Sequence, residues 1–139
     1  MEAIEKILND FATEKIPVIL KKYSLEEYDQ ILDKRDLDSF SNKWMNVYES
    51  INAQIENNHF SDGLRERVFK IVLSNTNNSD LASYISDDFG LFLDATKINF
   101  NDEWLNYLWI VYSKNQIPYE NIGTVKGKLK DLIYSVSNI

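Results

Sequence analysis

The most continuous run of hydrophobic side chains lies between Trp104 and Tyr112, where Asn106 is the only polar residue. Its apolar positions recur at helical spacing on two adjoining faces, Leu105, Leu108, Trp109 and Tyr112 on one and Trp104, Tyr107, Leu108 and Val111 on the other. A helix that is apolar around most of its circumference is surrounded by other elements inside a domain. The pattern therefore predicts a buried central helix near residues 103–113.

The residues just before this run carry signals for the start of a helix. Asn101 is a candidate N-cap, and Asp102 and Glu103 place negative charge in the first turn, where the helix dipole favours it. The alternative is a buried strand, because residues 107–112 are rich in aromatic and β-branched side chains. The length of the run and the capping signals favour the helix.

Helical spacing of apolar positions also predicts several helices in the first half of the chain. They cover residues 2–14, 25–35, 37–57 and a stretch capped by Ser61 or Asp62, with Leu25, Tyr28, Ile31 and Leu32 buried on the second and Phe40, Trp44, Val47, Tyr48, Ile51 and Ile55 on the third. Pro17 either ends the first helix or starts a short additional one. Ser24 and Glu27 have the spacing of a capping box, and Lys34 and Arg35 suit a helix C-terminus.

The second half is less regular. The polar run of residues 74–79 predicts a loop and a candidate mobile segment. The helix that follows has a candidate new N-cap at Ser86, where it kinks or restarts, and Gly90 weakens it further. A last helix follows Gly123 and Thr124, with Val125, Leu129, Leu132, Ile133 and Val136 pointing inward. The sum is an all-α fold, a single-domain bundle or array of six to eight helices over residues 1–139.

Composition bounds the class of protein. With 139 residues the chain suits one domain, and without cysteine it has no disulfide or thiolate metal site, which fits a cytoplasmic protein. The N-terminus carries acids among its first residues, so we expect no signal peptide. No apolar run is long enough to span a membrane. A net charge of −7 argues against nucleic-acid and anionic membrane surfaces as partners.

The negative charge is concentrated in one part of the chain. Residues 76–113 carry six acids and a single base, Lys97. A region this acidic attracts a cationic partner and speeds its arrival, although a solubilising surface is the simpler interpretation. The predicted helix after Ser61 has the opposite character, because Arg65, Arg67 and Lys70 mostly face outward on it.

Catalytic and cofactor motifs are missing from the sequence. His59 is the only histidine and follows two asparagines at a predicted helix end, so it suits an exposed loop residue better than a catalytic base or a zinc ligand. Neither a dinucleotide-binding nor a phosphate-binding glycine motif occurs. We therefore expect no cofactor, no metal and no enzymatic activity.

Two pairs of carboxylates remain as catalytic candidates, since paired acids can divide acid and base roles. They are Asp87 with Asp88, and Asp102 with Glu103. Both pairs fall at predicted helix N-termini, where compensation of the helix dipole explains them without any reaction. An enclosed pocket holding a desolvated pair would revive the enzyme hypothesis.

Residues 85–118 resemble a segment of small bacterial immunity proteins, which bind and neutralise a toxin delivered by a competing or sister cell. The resemblance rests on Asp87-Asp88-Phe89, on Asp102 and Trp104-Leu105, and on Ile117-Pro118. It implies a small, acidic, helical, non-catalytic protein whose partner is a toxin domain. Many such toxins are basic nucleases, for which complementary charge raises the association rate.

Under this hypothesis the charged part of the interface consists of Asp80, Asp87, Asp88, Asp94, Asp102 and Glu103. One exposed aromatic side chain, Tyr84 or Tyr107, would be the anchor that becomes desolvated on binding. The second hypothesis is a homo-oligomeric structural or regulatory protein, in which aromatic residues of the central helix form a dimer seam. A concentration-independent monomer in sedimentation would remove that hypothesis.

Overall fold

The computed structural model describes residues 3–120 and 123–137, and within these ranges it is built from helices without strands. The predicted first residue of the first helix, Glu2, lies outside them. The elements are α1 (Ala3–Glu14), α2 (Ile16–Leu20), α3 (Leu25–Arg35), α4 (Asp38–Asn52), α5 (Asp62–Thr76), α6 (Ser79–Lys97), α7 (Glu103–Ser113) and α8 (Leu129–Ser137). The prediction of an all-α bundle is confirmed. None of the described helices is both long and apolar enough to cross a bilayer.

Two helices, α6 and α7, lie at the centre of the fold. The predicted buried helix is α7, and α6 shares its position because most of its residues are buried. Aromatic rings join the two: Phe89 and Phe92 of α6 pack edge to face against Trp109 and Tyr112 of α7, with ring centroids 5.1–6.4 Å apart. Such geometry aligns the positive edge of one ring with the negative face of the next. The long helix α6 is therefore held firmly along one side.

Side-chain caps fix where several helices begin. Ser24 and Glu27 form the predicted capping box at the start of α3. Asp102, rather than Asn101, is the N-cap of α7 and accepts a hydrogen bond of 2.8 Å from the backbone N–H of Leu105. Asn101 instead accepts 3.0 Å from the backbone N–H of Leu129, at the start of α8. The sequence therefore predicted a side-chain N-cap for α7 correctly but placed it one residue too early.

The predicted loop over residues 74–79 is much shorter in the structure. Helix α5 continues to Thr76, because the side chains of Ser74, Asn75 and Thr76 donate to carbonyl groups one turn back in the helix. Only residues 77 and 78 separate α5 from α6, with Asn77 in the left-handed region at φ 54°. Polar side chains of this kind satisfy themselves locally, so a polar run does not require a loop.

Three further expectations are corrected. Helix α6 runs unbroken through Ser86, whose hydroxyl donates to the carbonyl of Ser83, so no new N-cap forms there. Helix α4 ends at Asn52 and α8 begins at Leu129, so Ile55 and Val125, which were predicted to lie on these helices, lie outside them. Two residues that were predicted to be buried are exposed, Leu25 to 74% and Tyr48 to 41%.

Candidate partner-binding groove

Helix α6 presents a stripe of polar side chains to the surface. Asp80, Tyr84, Asp87 and Asp94 follow one another at intervals of four, three and seven residues, which places them on one face. Asp80 is exposed, and the other three are partly buried. The structure thus brings four of the seven predicted binding residues onto a common face.

Asp88, the fifth residue of that set on α6, does not lie on the surface. Its carboxylate is 0% exposed and forms a paired salt bridge with Arg35 of α3, at 2.7 and 2.8 Å. The indole Nε1 of Trp44 donates to it at 2.9 Å, and the hydroxyl of Tyr112 donates at 2.5 Å. This cluster, Arg35–Asp88–Trp44–Tyr112, is called the buried network below.

The buried network gives Asp88 a different role from the one expected. Burial alone would lower the pKa of Arg35, but the charge and hydrogen bonds of Asp88 outweigh it, so the pKa is raised and the guanidinium stays charged. Burial raises the pKa of Tyr112 well above its usual value, which keeps its hydroxyl protonated as a donor. Arg35 is accordingly part of the core, not a solvated helix-terminal cation. A partner docking on the surface cannot reach Asp88.

The remaining predicted residues lie apart from the stripe. Asp102 is occupied as the N-cap of α7. The exposed Glu103 follows it, and its backbone carbonyl accepts from the N–H of Val125 at 2.9 Å. Tyr107 packs its ring closely over Gly123, where a Cβ atom would come within 2.7 Å of the ring. None of these three residues lines the cavities that adjoin the stripe of α6.

A groove runs between α4 and the polar face of α6. It consists of two neighbouring cavities, of about 400 and 200 Å³, which share the lining residues Trp44, Met45 and Asp87. One end is closed by Asp36 and Tyr84, whose hydroxyl donates to Asp36. The other end reaches Asp94 and the start of α5. We call this surface the α4–α6 groove.

The wall of the groove on α4 is aromatic and apolar. Trp44 and Tyr48 stack with their rings 5.5 Å apart and only 13° from parallel. Beside them Met45 is 44% exposed and Tyr48 is 41% exposed. Large exposed hydrophobic side chains next to a concave surface are typical of a site that contacts another molecule. Trp44 also belongs to the buried network, so the wall is anchored from behind.

The floor of the groove on α6 is acidic and contains a guanidinium from this chain. Arg65 of α5 lies across Gly90, where a Cβ atom would come within 2.5 Å of its Cδ. Its guanidinium contacts Asp62 and reaches Asp87 at 3.9 Å. Only a residue without a side chain allows an arginine to cross α6 this closely.

Burial disfavours the ionised form of the two carboxylates on this floor, Asp87 and Asp94. Desolvation raises the pKa of Asp87, the neighbouring charge of Asp88 adds to it, and Arg65 opposes it. Desolvation raises the pKa of Asp94 to about 6, against the opposing hydrogen bond that it accepts from Ser61 at 3.1 Å. The other oxygen of Asp94, Oδ1, is buried and accepts no hydrogen bond. A cation placed here would stabilise both carboxylates.

The chemistry of the groove suits binding of a cation. Half-buried carboxylates opposite stacked aromatic rings attract a guanidinium or ammonium group through charge and through the ring faces. Within residues 3–120 and 123–137 no three His, Cys, Asp or Glu side chains come together as a metal site. His59, at the rim of the groove, is exposed and pairs with Asp62.

Sequence reasoning missed Met45, Tyr48, Arg65 and Gly90 as residues of this surface. Met45 lies outside the apolar stripe of α4, and this position in the sequence pattern could have predicted that it is exposed. Tyr48 fits the stripe by spacing but is 41% exposed and stacks on Trp44. Arg65 and Gly90 meet only because α5 packs against α6, and no local pattern shows that contact.

Comparison with known families agrees with the resemblance found in the sequence. Residues 3–119 match the model of the family described as immunity protein PIM1, a much longer match than residues 85–118. Neither the curated proteins nor the solved structures gave a match to the chain. Because the family match covers most of the chain, including every helix that forms the groove, this protein belongs to the PIM1 family of immunity proteins.

Proposed function

We propose that this immunity protein neutralises a cationic toxin domain by binding it, without catalysis, through the α4–α6 groove. The observation that carries the proposal is the combination of family membership with one acidic, aromatic-walled groove. Neutralisation by occlusion needs only a complementary surface placed over the toxin's own site. We place the encounter in the cytoplasm of the cell that makes the immunity protein.

Charge supports a basic partner. Asp36, Asp87 and Asp94 line the groove, and Asp62 pairs with Arg65 at its rim. Among the described lining residues, the two arginines are Arg35, which Asp88 neutralises, and Arg65. Asp80 extends the negative face beyond the groove along α6. Together with a net charge of −7, this distribution steers a positively charged protein toward α6 and raises the association rate.

The apolar wall supports a protein partner rather than a small ion. Binding energy in protein interfaces is concentrated in a few aromatic and apolar residues that become desolvated, with charged residues around them. Tyr48 and Met45 have this position, between the acidic floor and open solvent. Tyr48 replaces Tyr84 as the anchor in this proposal, because the hydroxyl of Tyr84 is already bound to Asp36.

The test uses the cognate toxin domain, which is to be sought among the genes that neighbour the one for this chain. Co-expression should protect cells from that domain, and the two purified proteins should form a complex. Met45→Ala and Tyr48→Ala should each weaken the complex by roughly tenfold or more, the loss typical of an interface anchor. Leu25→Ala is the matched control, since Leu25 is even more exposed and lies on α3 outside the groove.

Charge reversal provides a second arm. Asp87→Lys should slow association, and the effect should shrink as salt screens the charges. Asp131→Lys on α8 makes the same change of net charge at an exposed position outside the groove. If Asp131→Lys is as damaging as Asp87→Lys, or if the Met45 and Tyr48 variants bind as tightly as the original protein, the groove is not the interface. Self-association of the chain through this face would appear in sedimentation and would also contradict the proposal.

A further inference from the structure

The floor of the α4–α6 groove has the geometry of a slot for one guanidinium group. Gly90 supplies a bare stretch of helix backbone, with Asp87 three residues before it and Asp94 four residues after it on the same face. The side chain of Arg65 lies in this slot, with its Cδ and Cγ directly over Gly90. The stacked rings of Trp44 and Tyr48 line the same cavity.

Arg65 occupies the slot, but polar atoms in it lack hydrogen-bond partners. The guanidinium of Arg65 comes only to 3.9 Å from Asp87, and its closer ionic partner is Asp62, three residues before it on its own helix. Its Nε atom is buried without an acceptor, while Oδ1 of Asp94 is buried without a donor. Buried polar groups are normally hydrogen-bonded, so an unpaired donor and an unpaired acceptor in one groove indicate an incomplete arrangement.

We propose that Arg65 is a displaceable occupant of this slot and that an arginine side chain of the partner takes its place, pairing with Asp87 and Asp94. The inference rests on the proposed function and names the chemistry that the groove recognises. The incoming side chain enters between α4 and α6 over Gly90. Arg65 retains Asp62 at the rim, so its displacement leaves no unpaired charge in the groove.

Arginine fits the slot better than lysine does. A guanidinium is planar, offers five donors and stacks on aromatic faces, whereas an ammonium is a compact, strongly hydrated charge. The cavity offers both features, carboxylates on α6 and ring faces on α4. The presence of Arg65 shows that the dimensions suit an arginine side chain.

Removing the internal occupant tests the proposal without the toxin. In ¹⁵N-labelled Arg65→Ala protein, N-acetyl-argininamide should bind and shift the backbone amide of Gly90 and the indole N–H of Trp44. The Kd should be lower than in the original protein by about tenfold, the scale of one charge-assisted hydrogen bond. Adding Asp94→Asn to Arg65→Ala should reverse that gain.

Arg67→Ala is the matched control, because it removes the same charge from the same helix outside the groove, where Arg67 binds Asn9. A gain in Arg67→Ala equal to that in Arg65→Ala would overturn the proposal, since the effect would then be one of net charge. So would equal binding of N-acetyl-lysinamide, or the absence of any shift at Gly90.

The toxin separates this inference from the function on which it rests. If Met45→Ala and Tyr48→Ala weaken the toxin complex while argininamide leaves Gly90 unshifted in Arg65→Ala, the slot is wrong and the groove interface stands. If argininamide binds the slot but the toxin complex is indifferent to Met45, Tyr48 and Asp87, the proposed function is wrong and the slot has no part in neutralisation.

Discussion

The carboxylates on the two faces of α6 differ in burial and in hydrogen bonding. On the inner face of α6, Asp88 is fully buried and every oxygen is bonded, to Arg35, Trp44 and Tyr112. On the outer face, Asp94 is partly buried and leaves one oxygen without a partner. The first arrangement holds helices together, whereas the second leaves an acceptor that, in the function we propose, pairs with the partner. Burial therefore distinguishes the structural acid Asp88 from the acids that reach the surface, which charge counting alone cannot do.

The largest expected loss of stability comes from removing the buried salt bridge on the inner face of α6. Asp88→Asn should destabilise the protein by about 3–5 kcal/mol, because the buried guanidinium of Arg35 loses its counter-ion. Asp87→Asn removes the adjacent, half-exposed carboxylate and should change the free energy of unfolding by less than about 1 kcal/mol. Urea denaturation of the two variants measures both values. Equal losses would mean that the two faces do not differ as described.

A smaller loss is expected at the far side of the buried network. Tyr112→Phe keeps the ring in the aromatic core but removes the donor that lies 2.5 Å from Asp88. The cost should be about 1–3 kcal/mol, as for one buried acceptor that loses its partner. Denaturation midpoints with an unchanged slope would show it. If the loss is absent, Arg35 and Trp44 alone satisfy Asp88.

The outer face should respond to pH in a direction set by Asp94. Its pKa is raised from 3.8 to about 6, so the folded protein holds this proton more tightly than the unfolded chain. This stabilising contribution is therefore fully present below about pH 4 and is lost as the pH rises through about 6. The groups that face Asp94 are Ser61, Arg65, Asp62 and, in the same cavity, His59.

Asp94→Asn isolates this contribution. The difference in free energy of unfolding, original protein minus variant, should fall between pH 4 and pH 7 and be zero or negative at pH 7. Subtracting the two pH profiles cancels the titration of the other carboxylates. A difference that rises with pH would show that the charged form of Asp94 is stabilised in the fold, contrary to its unpaired oxygen.

The smallest expected effect is at the floor of the groove. Gly90→Ala should favour the helix by about 0.5–1 kcal/mol through backbone entropy and propensity. Against this gain, the side chain of Arg65 must adopt another rotamer, since the new Cβ would lie 2.5 Å from its Cδ and 2.9 Å from its Cγ. The net change in unfolding free energy should stay within about 1 kcal/mol. A loss well above that value would mean that Arg65 is held in the slot rather than displaceable.

Local patterns predicted the helices well, and for physical reasons. The apolar stripes of α1 and α7, the capping box of Ser24 and the effect of Pro17 all depend on residues within two turns of one another. The prediction was wrong where a polar run is compatible with either a loop or a helix. The polar side chains of residues 74–76 donate hydrogen bonds to carbonyl groups of their own helix and extend α5.

The candidate site was only partly predictable. Helical spacing gives the face shared by Asp80, Tyr84, Asp87 and Asp94, and it also turns Asp88 inward. Sequence does not supply the partner of Asp88, because Arg35 is distant along the chain and only the packing of α3 against α6 brings them together. The same is true of the crossing of Arg65 over Gly90.

The most direct test of the two-face account is the affinity of the toxin domain for a matched pair of double variants. Tyr48→Ala with Asp87→Lys alters the α4–α6 groove, while Leu25→Ala with Asp131→Lys truncates one exposed side chain and reverses one charge elsewhere on the surface. We predict that both remain folded, that the second binds like the original protein, and that the first loses more than about tenfold in affinity, because the charge reversal at Asp87 adds to the loss of the Tyr48 anchor. Unchanged binding by a folded Tyr48→Ala, Asp87→Lys protein would contradict the account.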